Sequence, residues 1–219
     1  MTLWRTQLVR GTAAALHDRA LPDPPERVAW VCEPAEPALV LGSAQPARHV
    51  DEVAASRAGV VVVRRHSGGG AVLLVPGAVL WVDVVVPAGD PLWREDVGGA
   101  FHWLGDTWVE ALEEVGVSGA VVHRGGMVRS AWSSVICFAG LGPGEVTVNG
   151  GKLVGMSQRR TREAARFQCA VYSRWDASLL RSLLADPAPT LAEIEEMCTT
   201  ISADLDAVAA ALLAALSRR

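Results

Sequence analysis

With 219 residues, 50% of them hydrophobic and 20% charged, the chain can bury a sizeable core without disulfides or metal clips, and one globular domain over 1–219 is expected. A formal net charge of −4, from 20 Lys and Arg against 24 Asp and Glu, lacks the concentrated basic face of a duplex binder, which excludes nucleic acid as a partner. Mean hydropathy is positive at +0.25, yet apolar runs such as 59–63 and 77–86 are too short for a membrane span or contain Asp83, which excludes a membrane protein.

The stretch 1–10 carries Arg5 and Arg10 but no apolar h-region with a small-residue cleavage site, so a reducing cytoplasm is the expected compartment. Ala13, Leu16 and Ala20 keep helical spacing and predict a helix between Val9 and Ala20, stopped by the Pro-rich 21–25. The apolar runs 28–32 and 38–41, parted by a Pro-containing turn, read as a hairpin. A short helix over 50–58 begins at Asp51 and Glu52, where the helix dipole favours acids, and ends at Gly59. A strand over 59–65 then runs into His66-Ser67-Gly68-Gly69-Gly70, and 71–75 and 78–86 form a second strand pair around Pro76-Gly77. Phe101, Leu104, Trp108, Leu112 and Val115 recur at spacings of three and four, predicting the longest helix over 96–115, lying across a sheet. Short β-prone segments follow at 120–123, 134–138, 145–148, 153–158 and 167–172, separated by glycine-rich turns. Helical patterns at 177–184 and 203–216 place a helical segment, 176–219, on a 1–175 core. Hairpins and helices without strict βαβ alternation indicate an α/β (α+β) architecture.

Four scattered cysteines, Cys32, Cys137, Cys169 and Cys198, with no C-x-x-C, read as free thiols, and no histidine pair stands at metal-ligand spacing. The basic residues are 19 Arg and one Lys, Lys152. Arginine replaces lysine wherever a solvated charge suffices, but not where a compact ammonium must enter a site as a point charge. Two stretches therefore carry candidate chemistry. Arg64-Arg65-His66-Ser67-Gly68-Gly69-Gly70 offers backbone N–H groups and guanidinium donors to an anionic ligand. It is neither a Walker loop nor a dinucleotide fingerprint, since no Gly-Lys-Ser/Thr and no helix follows. Asn149-Gly150-Gly151-Lys152 puts the lone lysine directly after a tight turn, with Gly155 leaving room for a close approach.

The order Arg-Arg-His-Ser-Gly-Gly-Gly-Ala (64–71), Cys137-Phe138, then Gly150-Gly151-Lys152-Leu153-Val154-Gly155-Met156-Ser157-Gln158 resembles the lipoate and octanoate branch of the biotin/lipoate A/B protein ligase family. Leu41-Gly42-Ser43-Ala44-Gln45 is similar to an early turn of that family. The resemblance implies a class II synthetase/biotin-ligase-like domain with a mixed, largely antiparallel sheet, and no accessory domain. It implies substrate-binding roles for Arg65, Ser67, Gly68, Gly69, Gly70, Ala71, Gly150, Gly155 and Gln158, and a catalytic role for Lys152. Two chemistries occur in the family. Lipoate-protein ligases activate free lipoate with ATP and magnesium as an acyl-adenylate. Cysteine-type octanoyltransferases take an octanoyl group from an acyl carrier protein through an enzyme thioester and need no cofactor. Cys137-Phe138, fifteen residues before Lys152, is similar to the nucleophile segment of the second type, which makes acyl transfer through Cys137 the leading expectation. The ligase, and a non-catalytic acyl or carrier-domain binder, stand as alternatives. In each case the implied partner is a lipoyl carrier domain of the 2-oxoacid dehydrogenase or glycine-cleavage H-protein type. The chain departs from the family with Leu73-Leu74-Val75 after the glycine loop, Gly144-Glu145 ahead of the lysine turn, and Phe167-Gln168-Cys169-Ala170 near the end of the core.

Overall fold

A computed structural model describes residues 3–219. Among the described residues ten strands form two sheets: β1 (Arg5–Gly11), β2 (Val28–Pro34), β3 (Ala38–Leu41), β4 (Val61–Arg64), β5 (Val72–Leu74), β6 (Val79–Pro87), β7 (Ala120–Val122), β8 (Val146–Val148), β9 (Gly151–Arg160) and β10 (Ala164–Tyr172). The seven-stranded sheet has the order β1-β2-β6-β10-β9-β8-β7, and the three-stranded sheet β4-β3-β5. Only β1 with β2 and β3 with β4 run parallel. Six helices complete the fold: α1 (Ala13–Asp18), α2 (Glu52–Arg57), α3 (His102–Glu114), α4 (Ala177–Ser182), α5 (Leu191–Glu195) and α6 (Leu205–Ser217). The expected mixed, largely antiparallel α/β architecture is what the chain adopts. Among the described residues no helix is long and apolar enough to cross a membrane.

Strand β6 sits near the middle of the large sheet because its apolar run must be covered on both faces. On one face α3 and α6 bring Leu104, Trp108, Leu112, Val208 and Leu212 against Val82, Val84 and Val86. On the other, the small sheet and α4 bury Trp30, Trp81 and Val85 with Leu39, Leu73 and Leu180. Arg65, Cys137 and Gly155 line one pocket together with Val40 and Leu74 of the small sheet and Trp81 of the large one.

Both expected hairpins are corrected. β2 joins the large sheet and β3 the small one, and β5 and β6 are likewise split between sheets. These runs are apolar at nearly every position, so each needs neighbours on more than one side, and the Pro-containing turns carry the chain across the core instead of back along it. The helix between Val9 and Ala20 is shorter than its spacing predicts. Thr12 caps it by accepting from Ala15 N at 3.2 Å, and the preceding residues form the edge strand β1, whose mostly exposed side chains give no apolar signal. The β-prone 134–138 is no strand: Cys137–Ala139 is a 3₁₀ turn, tied to the small-sheet side through an Ala71–Ile136 bridge. Helices α3 and α6 have equal length, 13 residues.

Candidate active site

The glycine loop is held from within by arginine. Arg65, 4% exposed, turns its guanidinium back and donates to Val40 O (3.2 Å), Gly68 O (2.7 Å) and Gly70 O (2.9 Å). Its neighbour Arg64 donates to Gly42 O and Gln45 O, each at 2.7 Å, so both arginines shape backbone. A Cβ on Gly42 would lie 1.9 Å from Gly69 O, and one on Gly70 would lie 2.7 Å from the Ile136 backbone. Those two positions need glycine because chains pass there at backbone contact. Ala71 N donates to Val135 O (2.8 Å) and Cys137 N to Ala71 O (2.9 Å), while Gln45 Nε2 donates to Val135 O (2.9 Å). The loop is thus clamped between the 42–45 turn and the segment bearing Cys137.

Cys137 opens the 3₁₀ turn with its Sγ 3.7 Å from where a Cβ on Gly69 would stand, beside the Arg65 guanidinium. Lys152 follows the Asn149-Gly150 turn, in which both residues have positive φ. It pairs with Glu145 Oε1 at 2.7 Å and donates to Cys137 O (3.1 Å) and Gly140 O (3.0 Å), above the Phe138 ring at 4.8 Å. An ammonium has three donors, and all three are engaged. Glu145 also accepts from Met156 N (2.9 Å) and Gly142 N (2.6 Å). Lys152 therefore anchors the turn that carries Cys137, and it must release a partner before it can meet any developing oxyanion. A Cβ on Gly155 would lie 2.7 Å from the Phe138 ring, so that glycine makes room for the aromatic side chain under the ammonium.

Two cavities meet at Cys137. An outer cleft of about 240 Å³ is lined by Gly68, Gly69, Gly70, Cys137, Glu145, Lys152 and Gln158. An inner, mostly apolar pocket of about 40 Å³ is lined by Arg65, Val40, Leu74, Trp81, Cys137, Gly155, Ser157 and His17, among others. Both amide atoms of Gln158 are buried without a partner on the cleft wall, an arrangement that suits a polar ligand group. Ser67 Oγ bonds Ser157 Oγ (3.0 Å) and donates to Gln168 Oε1 (3.1 Å), joining loop to sheet beside the inner pocket. Two residues singled out in the sequence stand apart: Ala71 is a buried connector, and Gly150 lines a separate groove on the far side of Lys152.

The other cysteines are held as thiols. Burial pushes Cys169 and Cys198 up to about 12 and Cys32 well above the ordinary thiol value. His17 is lowered to about 3, first by burial and then by the charges of Arg166 and Arg65, so it is neutral. Nothing in residue order alone singles out Glu145, Ser157, Gln168 or His17. The departures Gly144-Glu145 and Phe167-Gln168 marked two of these places, but only the fold shows Glu145 facing the lone lysine and Gln168 facing His17.

A family model for the lipoyl protein ligase A/B catalytic domain matches residues 12–216. No curated protein sequence matches the chain. Among solved structures, a bi-partite lipoate protein ligase from Thermoplasma acidophilum, described with its E2 lipoyl domain, superposes with a TM-score of 0.76 at 18% identity, over 100% of this chain and 84% of that one. A lipoate-protein ligase A bound with ATP gives 0.74 at 19% identity, over 99% and 85%. A P. falciparum LipL1 in complex with lipoate gives 0.67 at 12%, over 98% and 62%. At such identities the structural likeness speaks for the fold, while the family match spans nearly the whole sequence: the chain belongs to the lipoyl protein ligase A/B catalytic domain family.

Proposed function

We propose that the protein transfers an octanoyl or lipoyl group to a lysine of a lipoyl carrier domain, through a thioester on Cys137. The observation that carries this reading is the position of Cys137, whose side chain borders both the outer cleft and the inner apolar pocket, beside the glycine loop. An acyl tail in the inner pocket leaves its thioester carbonyl at the sulfur, with the carrier in the cleft. The Cys137 thiolate attacks that carbonyl beside the Arg65 guanidinium, and the tetrahedral adduct collapses with loss of the carrier thiol, which takes up a proton. Backbone N–H groups of the loop and a Lys152 N–H released from its present partners supply the oxyanion donors. The amine of the acceptor lysine then attacks the Cys137 thioester, an amide forms, and the Cys137 thiol is regenerated.

A nucleotide triphosphate fits the cleft less well. The charged side chains lining it are Glu145 and Lys152, which neutralise each other, and Arg64 and Arg65 are committed to backbone carbonyls. One observation favours the ligase reading: Arg129, exposed and without an ion pair among the described residues, lines an adjoining groove of about 500 Å³ that shares Gly69. That guanidinium is where phosphates would be met, with magnesium completing their neutralisation.

Intact-protein mass spectrometry decides between them. After exposure to octanoyl acyl carrier protein, one octanoyl adduct on Cys137, released by hydroxylamine and absent from Cys137→Ala, is the expected result. Modification of an apo lipoyl domain that proceeds in Cys137→Ala and only with lipoate, ATP and magnesium overturns the thioester and promotes the ligase. No acceptor mass gain under either condition leaves a non-catalytic binder.

A further inference from the structure

His17 is used by nothing in the mechanism above, although it is 6% exposed and its ring forms part of the inner pocket wall. It comes from α1, and its ring lies 4.4 Å from that of Trp81 on β6. Its Nδ1 stands 3.0 Å from Gln168 Nε2, and its Nε2 is buried with no partner. The proton on this neutral ring can be placed. Gln168 Oε1 accepts from Ser67 Oγ, which leaves its amide nitrogen, a donor only, 3.0 Å from Nδ1. With that nitrogen facing His17, Nδ1 must accept. The imidazole proton then resides on Nε2, which is a buried donor without an acceptor. The serines beside it are already paired with each other and with Gln168.

A buried N–H without an acceptor costs free energy that a ligand atom can recover, and it discriminates against a ligand that lacks that atom. The pocket that the His17 ring helps to line is mostly apolar and has a volume of about 40 Å³, room for the end of a chain. We infer that His17 is a specificity-determining residue: its Nε2–H makes the inner pocket prefer an acyl tail that ends in a soft acceptor, a cyclic disulfide, over a tail of hydrocarbon alone. This rests on the reading that the inner pocket holds the acyl tail of the transferred group.

The test compares lipoate with 5-cyclopentylpentanoate, which keeps the ring and chain but replaces both sulfurs by methylenes. Titration calorimetry on the wild-type chain should show lipoate bound about five-fold more tightly, the effect of one modest hydrogen bond. In His17→Phe, which keeps a ring against Trp81, the two acids should bind within about two-fold of each other. Equal affinities in the wild type, or an unchanged ratio in a folded His17→Phe, overturn the role of His17 while leaving the acyl pocket standing. If neither acid binds and octanoyl carrier protein leaves no adduct, the acyl-pocket reading falls and this inference with it. The wild-type pair of ligands keeps the test decisive even where His17→Phe does not fold.

Discussion

Asp83–Arg166 and Glu145–Lys152 are both buried ion pairs, with no side chain more than 5% exposed, yet they sit in different company. Arg166 donates to Asp83 Oδ2 from Nε at 2.8 Å and again from Nη2, and its other N–H groups go to Leu16 O, His17 O and Arg19 O, so the pair stitches β6 and β10 to the end of α1. Trp81 Nε1 donates to Asp83 Oδ1 at 2.7 Å. Lys152, by contrast, has the outer cleft on one side and a groove of about 420 Å³ on the other. An arginine fork with fixed carbonyl partners is a rigid joint, whereas an ammonium with cavities on both sides can exchange a partner for a ligand atom. The same pairing chemistry thus holds the sheet in one place and the Cys137 turn in the other.

The largest expected effect is on the sealed pair. Asp83→Leu leaves Arg166 as an uncompensated buried charge and should cost about 3–5 kcal/mol in urea unfolding. Glu145→Leu should cost less, about 1–3 kcal/mol, because water entering the neighbouring cavities can solvate the ammonium left behind. Equal losses would erase the distinction between the two pairs.

Removing both charges at the open site separates stability from chemistry. Lys152→Met with Glu145→Leu should return stability to within about 1 kcal/mol of the parent, since an apolar pair can replace a buried ion pair with little change. Octanoyl-adduct formation on Cys137 should stay depressed by about 100-fold, because the 137–140 turn has lost the ammonium that positions it. A double variant that acylates at the parental rate removes Lys152 from the mechanism. Lys152→Arg should be nearly as damaging, since a planar fork cannot reproduce three donors converging on Glu145, Cys137 O and Gly140 O.

A smaller effect is expected where the glycine loop meets the Cys137 segment. Gly70→Ala places a methyl 2.7 Å from the Ile136 backbone, forcing apart the chains that carry Gly69 and Cys137. It should cost about 1–3 kcal/mol as overpacking. Adduct formation should fall by more than the stability change explains, measured at a temperature where the variant is fully folded.

The pieces of the site were legible to different depths. The lone lysine, the Gly-Gly-Gly loop and Cys137-Phe138 could be singled out because arginine-rich usage, glycine density and motif order are properties of the string itself. That Lys152 is buried against Glu145 could not, since seven residues separate them and the contact depends on how β8 and β9 pair across a shifted register. The strands told a similar story. β6, β9 and β10 were marked by β-prone runs, whereas β1 was hidden by its exposed side chains at a sheet edge. The hairpin readings failed because local turn chemistry cannot say which of two sheets an all-apolar strand will join. Nothing local marks His17, because the neighbour that orients it, Gln168, lies 151 residues away.

The last prediction tests whether the sealed region truly keeps its histidine neutral. His17 falls from 6.5 to about 3 in the folded protein, so between those values the unfolded chain takes up a proton that the native state refuses. The stability it confers is complete above pH 6.5 and is lost as pH falls through that window, by about 1.4 kcal/mol per unit, or about 2 kcal/mol by pH 5. Hydrogen bonds hold carboxylates such as Asp90 and Glu193 below their ordinary values, while burial raises Asp83, so the comparison with His17→Phe, which keeps all three, isolates the imidazole. Urea midpoints from pH 7 to pH 5 should therefore fall steeply in the wild type and more gently in His17→Phe, whatever the variant's starting stability. Parallel slopes would mean that the imidazole gains its proton without opening the Trp81–Gln168 packing around it, and the inner pocket would then carry a cation where the geometry describes a neutral donor.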